Sequence, residues 1–158
     1  MLIIMFRYFC LHKDEYGMLI CSNAETNERI SYKQDGSRFG ASQLTLKFAT
    51  NSLYKIFVKA RPPQDFVELK LIQVDADFGE YAAVWNTSDK TPTKKGTRQD
   101  IQFILVGDGH KTLNKNIQVK FYPRSDSHAS WGQKLDQITW HCEVDEFGAV
   151  SVTEEQTV

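Results

Sequence analysis

Residues able to do chemistry are sparse in this chain and poorly spaced for catalysis. His12, His110, His128 and His141 have no Cys or carboxylate partner at metal-binding spacing. No GxSxG elbow, HExxH pair, Walker loop or complete GxGxxG fingerprint occurs, and Gly107-Asp108-Gly109, half of the last, reads as a hairpin turn. His141 and Cys142 are adjacent, but successive strand residues point to opposite faces, which separates a thiol from its prospective base. The remaining chemistry is electrostatic. Thr91-Pro92-Thr93-Lys94-Lys95-Gly96-Thr97-Arg98-Gln99 is a polar loop in which Lys94, Lys95 and Arg98, with Lys90 just before, outweigh Asp89 and Asp100. Such a loop is either a solvated connection or a device that steers an acidic peptide or an anionic membrane surface toward the protein.

The loop needs strands to hold it. Ile101 to Val106 is apolar, as in a strand covered on both faces, and after the Gly107 turn Ile117, Val119 and Phe121 alternate with Gln118, Lys120 and Tyr122. Leu44, Leu46 and Phe48 alternate with Thr45 and Lys47, and Ile138, Trp140 and Cys142 with Gln137, Thr139 and His141. Asp35-Gly36 predicts a tight hairpin between Ile30–Lys33 and a return arm beginning at Arg38. Leu53–Ala60 fits either a helical face or a strand, and its aromatic and β-branched residues favour the strand. Phe66–Val74, Tyr81–Trp85, Phe147–Val152 and an edge strand at Met18–Cys21 complete the expected set. Short strands, frequent turns and no long amphipathic helix predict an all-β antiparallel sandwich or barrel.

A chain of 158 residues is long enough for one core without disulfides or metal, and 41% hydrophobic with 25% charged residues is the composition of an ordinary globular domain. A net charge of -1 argues against a general nucleic-acid binder. Cys10, Cys21 and Cys142 form no CxxC pair and point to a reducing, intracellular setting. Met1–Leu11 lacks a basic leader and a cleavage site and is too short to span a bilayer, so it reads as a strand or loose extension. The expected division is an N-terminal extension with a possible edge strand over 1–29, a single sandwich domain over 30–152 and a frayed acidic tail over 153–158.

Several segments taken together are more specific: Tyr32-Lys33-Gln34-Asp35-Gly36-Ser37-Arg38-Phe39-Gly40, Tyr54-Lys55, Thr91 to Gly96 with Arg98-Gln99 and Ile101-Gln102, Gln118 to Tyr122, then His128, Trp131-Gly132 and Cys142. In this order they resemble the cannabinoid receptor-interacting protein family. The resemblance implies a cytoplasmic, non-enzymatic β-sandwich without cofactors. Such an adaptor would sit at the inner face of the plasma membrane, bind the cytosolic C-terminal tail of a type 1 cannabinoid-like receptor and modulate its signalling. Lys94, Lys95, Arg98, Arg38 and Trp131 are the candidate partner contacts. The family's sandwich is also similar to that of Rho GDP-dissociation inhibitors, which implies the alternative of a carrier holding an acylated or prenylated peptide between its sheets. Tyr54, Trp85, Phe103, Phe121 and Trp140 would then line the pocket.

Overall fold

The structure, a computed structural model, describes residues 2–5, 15–35, 43–61, 72–75, 80–106 and 112–158. The chain forms the strands β1 (Leu2–Met5), β2 (Glu15–Asn23), β3 (Ser31–Asp35), β4 (Gln43–Ala49), β5 (Leu53–Arg61) and β6 (Ile72–Asp75). They continue with β7 (Glu80–Asn86), β8 (Gln99–Val106), β9 (Thr112–Tyr122), β10 (Gln133–Lys134), β11 (Ile138–Val144) and β12 (Ala149–Thr157). A short 3-10 turn, Ser127–Ser130, precedes β10. Leu53–Arg61 is therefore strand, as its residue types favour.

Hydrogen-bonded neighbours follow the order β10-β3-β4-β9-β12-β11-β2-β5-β7-β6, and β8 joins the other edge of β9 with β1 beyond it. Among the described residues this mixed sheet does not close into a barrel. It folds over at β9, whose outer edge pairs antiparallel with β8. The inner edge meets β12 in parallel at Thr112 and Leu113, then β4 in parallel from Val119 to Tyr122. The β3-β4-β9-β8 layer thus faces the β11-β2-β5-β7 layer. Rings meet across the gap: Phe48 lies 4.9 Å from Tyr54 and 5.1 Å from Trp85, Trp85 6.0 Å from Phe121, and Phe103 5.4 Å from Trp140. The expected all-β sandwich is what the chain forms, but its sheet is mixed and not wholly antiparallel, since β1 with β8, β4 with β9 and β12 with β9 pair in parallel.

Two expectations for the chain ends change. Met18–Cys21 is not an edge strand: β2 lies between β11 and β5, with Leu19 and Cys21 buried in the core. Its outward Met18 and Ile20 are only partly exposed, so the sheet surface there needs apolar residues on both faces. The tail past Val152 is not frayed, because β12 pairs with β11 as far as Thr157. Glu155 accepts a hydrogen bond from Trp140 Nε1 at 2.8 Å and an ion pair from Lys115 at 3.0 Å, which anchors an otherwise polar strand. Gly36, the Gly107 turn, the return arm at Arg38 and most of Phe66–Val74 lie outside the described residues. Asp35, expected in a tight turn, is instead the last residue of β3 and pairs with Gln43, and β3 with β4, and β8 with β9, are antiparallel.

A buried hydroxyl fixes the base of the basic loop. Thr87, just after β7, is fully buried; its Oγ1 lies 2.8 Å from the Ala49 carbonyl and 3.0 Å from that of Ser52, and accepts the Ser52 N–H at 3.0 Å. Its carbonyl also accepts the N–H groups of Asn51 and Lys90. Thr87→Val keeps the shape but strands a buried donor, and is expected to destabilise the protein by about 2 kcal/mol in urea unfolding. Thr87→Ser, which keeps the hydroxyl, is expected to lose less than half of that.

Candidate anion-binding face

Strand alternation sends every second residue of β3, β4 and β9 to the outside of the first layer. In register, Lys33 stands beside Thr45, Ser31 beside Lys47, and Lys47 beside Lys120. Thr45 and Gln118 share a side-chain hydrogen bond of 2.7 Å across the β4–β9 boundary. Arg98, one residue before β8, adds its charge: Lys47 feels the positive charges of Lys33, Arg98 and Lys120. Four cations from four segments therefore converge on one sheet surface.

Aromatic rings border them. Tyr122 stacks on His128 with centroids 6.4 Å apart and planes 11° apart, and His128 lies 4.2 Å from Trp131, which is 56% exposed. Lys47 and Lys120 lie 5.8 Å and 5.4 Å from the Tyr122 ring centroid, where its π face attracts cations. The 3-10 turn that carries His128 is pinned to the sheet by Ser31 Oγ donating to the Ser130 carbonyl at 2.9 Å, and by Lys47 Nζ donating to the Trp131 carbonyl at 2.6 Å. Asp126 caps the turn, accepting from the His128 N–H at 2.9 Å and contacting its Nδ1 at 2.5 Å. Those bonds, the backbone one first, hold its carboxyl below the usual range. Gly132 follows with φ +114°, and a Cβ there would lie 3.1 Å from the Tyr32 carbonyl, so only glycine lets the chain pass so close to β3.

The electrostatics favour a bound anion. Burial first, and then repulsion from Lys33, Arg98 and Lys120, lower the Lys47 pKa below its ordinary 10.5. Burial raises the Tyr122 pKa, while Arg98 and Lys33 pull against it. An anion placed among these cations relieves their mutual repulsion.

The sequence-predicted residues fare differently. Arg98 and Trp131 belong to this face, at its cationic centre and its aromatic border. Lys94 and Lys95 stand exposed at the loop's turn, where the Lys94 carbonyl accepts the Thr97 N–H at 3.1 Å and Gly96 takes φ +77°. Arg38 lies outside the described residues. Tyr54, Phe103, Phe121 and Trp140 are buried, and Trp85 is partly buried against them. These rings pack on one another, and of the five only Tyr54 touches a surface cleft of about 330 Å³ beside the 3-10 turn, bordered by Glu25, Arg29, Arg124 and Ser130. Cys142 is buried while His141 is partly exposed, and burial pushes the Cys21 thiol up to about 12, leaving it unreactive. Among the described residues no cluster of His, Cys, Asp or Glu is disposed to hold a metal. Sequence reasoning placed Lys47, Lys120 and Tyr122 outward but missed that they join Lys33 and His128, because only the parallel β4–β9 pairing makes them neighbours.

The fold is an all-β sandwich that carries four cations and three aromatic rings on one sheet surface. The family model described as CB1 cannabinoid receptor-interacting protein 1 matches residues 18–157. Relatives of that name from Homo sapiens, Bos taurus and Rattus norvegicus are 35%, 34% and 32% identical, each alignment covering 74% of this chain and 79% of the relative. The chain belongs to the CB1 cannabinoid receptor-interacting protein 1 family. The match extends beyond Ile30–Cys142, the span of the motifs noted in the sequence, to include most of β2 and all of β12.

Because burial, and then the like charges, lower the Lys47 pKa, folding favours its neutral form; the unfavourable contribution is present below the folded pKa and fades as pH rises toward 10.5. Lys33→Gln removes the leading repulsion and is expected to move the Lys47 pKa back up, read from its side-chain carbon shifts in an NMR titration. A Lys47 pKa unmoved by this substitution would mean that the two charges do not share a surface.

Proposed function

We propose that this protein is a non-enzymatic adaptor whose basic face binds an acidic segment in the cytosolic tail of a membrane receptor and thereby modulates that receptor's signalling. The observation that carries the reading is the convergence of Lys33, Lys47, Lys120 and Arg98 beside the Tyr122, His128 and Trp131 rings. Cations draw an acidic chain in and fix its register, and the flat rings supply contact area at low entropic cost. The names of the relatives support a receptor as partner, with a type 1 cannabinoid-like tail as the first candidate. Lys94 and Lys95, projecting from the neighbouring loop, extend the positive field toward the approaching ligand. This function places the protein in the cytoplasm at the inner face of the plasma membrane.

Calorimetric titration with acidic receptor-tail peptides tests the reading. Lys33→Glu, Lys120→Glu and Arg98→Glu together are expected to weaken binding by at least about tenfold, or about 1.4 kcal/mol, with the native circular dichroism spectrum retained. Binding by the unaltered protein is expected to weaken as salt rises, since the Debye length falls from about 10 Å at 0.1 M to about 3 Å at 1 M. Affinity indifferent to both the reversals and salt would refute the face. A prenylated or acylated version of the same peptide is expected to bind no more tightly, because the inward rings occupy one another's apolar surface; a large gain on lipidation would favour the carrier alternative.

A further inference from the structure

The basic loop carries a second feature. The four prolines follow Arg61, Pro62, Thr91 and Tyr122, so Thr91 is the sole serine or threonine in the chain placed before a proline. Lys94 and Lys95 stand three and four places after it. Thr91 is exposed on irregular backbone. It lies between two anchors, the Lys90 N–H bonded to the Thr87 carbonyl at 3.0 Å and the Thr93 N–H bonded to the Phe121 carbonyl at 2.9 Å.

We propose that Thr91 is a phosphorylation site for a proline-directed serine/threonine kinase that selects downstream basic residues, and that the phosphate weakens the basic face's hold on its acidic ligand. A proline after the acceptor has no N–H, so it enters an apolar kinase pocket without stranding a donor. The exposed lysines offer charge to kinase carboxylates. In the transfer, Thr91 Oγ1 attacks the γ-phosphorus of ATP, its proton passes to the kinase base, and the bond to the departing ADP breaks. Nearby hydroxyls are less suited. Thr87 is buried, Thr93 Oγ1 accepts the Phe121 N–H at 3.0 Å, and Thr97 Oγ1 donates to the Lys94 carbonyl at 2.8 Å. A phosphothreonine carries about -1.5 to -2 charge. On this loop it cancels most of the excess of Lys90, Lys94, Lys95 and Arg98 over Asp89 and Asp100. It also gives Lys94 and Lys95 a local partner in place of an incoming one. The assignment of the site rests on the loop alone, and its effect on binding rests on the adaptor reading.

The folded full chain is incubated with ATP and a proline-directed kinase, and the product is read by intact mass and peptide mapping. One phosphate at Thr91 is expected; Thr91→Ala abolishes it, Thr93→Ala retains it, and Lys94→Gln with Lys95→Gln slows its addition. No phosphate on the folded chain, or phosphate at another residue instead, overturns the site. Affinity for a short labelled Asp/Glu-rich peptide is expected to fall about fivefold on phosphorylation and to be unchanged in kinase-treated Thr91→Ala. Full phosphorylation with unchanged affinity overturns the regulatory effect. If the unmodified chain binds no acidic peptide, the adaptor reading and the regulatory effect fall together, and the mass result alone decides the site.

Discussion

A β-strand has two edges, and β9 must serve three neighbours. β8 takes one edge along most of its length, while β12 and β4 divide the other, at Thr112–Leu113 and Val119–Tyr122. That division makes the layers diverge, since β12 leads into one and β4 into the other. It also makes the same strand deliver core and surface. Val119 and Phe121 are essentially inaccessible to solvent, while Lys120 and Tyr122 stand on the opposite side among the cations. Site geometry is inherited from core packing: displacing Phe121 inside would move the ring beneath Lys47 and Lys120 outside.

The surface so formed is under electrostatic tension. Lys47 is held among positive neighbours and partly withdrawn from water, and its hydrogen bond to the Trp131 carbonyl and the Tyr122 ring compensate only in part. Apolar packing below supplies the stability that such an arrangement consumes. Rings arranged mostly edge-on or tilted, Phe48 among Tyr54, Trp85 and Phe121, fill the interior from both layers. Thr87, Ser52 and the β4–β5 turn form a second, polar anchor, so the basic loop leaves the sheet from a fixed base.

Much of this was legible in the sequence wherever a strand has one wet face. Leu44–Phe48, Ile117–Tyr122 and Gln137–Cys142 alternate cleanly, and their core-facing sides follow from that period, although Thr45 and Thr139 on the opposite side are buried as well. The pattern failed where both faces are covered or both are wet: β2 looked like an edge because its run is short, and β12 looked like a tail because Thr153 to Thr157 has no apolar side. Pairing order was the deeper gap. Period 2 puts Lys33, Lys47 and Lys120 outward, but nothing local says that β4 lies parallel to β9, and without that adjacency three scattered lysines are three solvated charges. The 3-10 turn was similarly opaque, since Trp131 and His128 acquire their place only through bonds to Ser31 and Lys47.

The interior position of β2 bears on how the chain reaches this state. Its partner on one side, β5, follows within a few dozen residues, but its partner on the other, β11, is near the far end of the sequence. Until β11 arrives, the edge of β2 offers unpaired backbone beside Leu19 and Cys21, side chains destined for the interior. A topology so dependent on distant partners folds slowly, and its half-assembled form is prone to join with other copies. Pairing of β2 with β11 is thus a long-range step, and until it occurs that edge is where association between copies would begin.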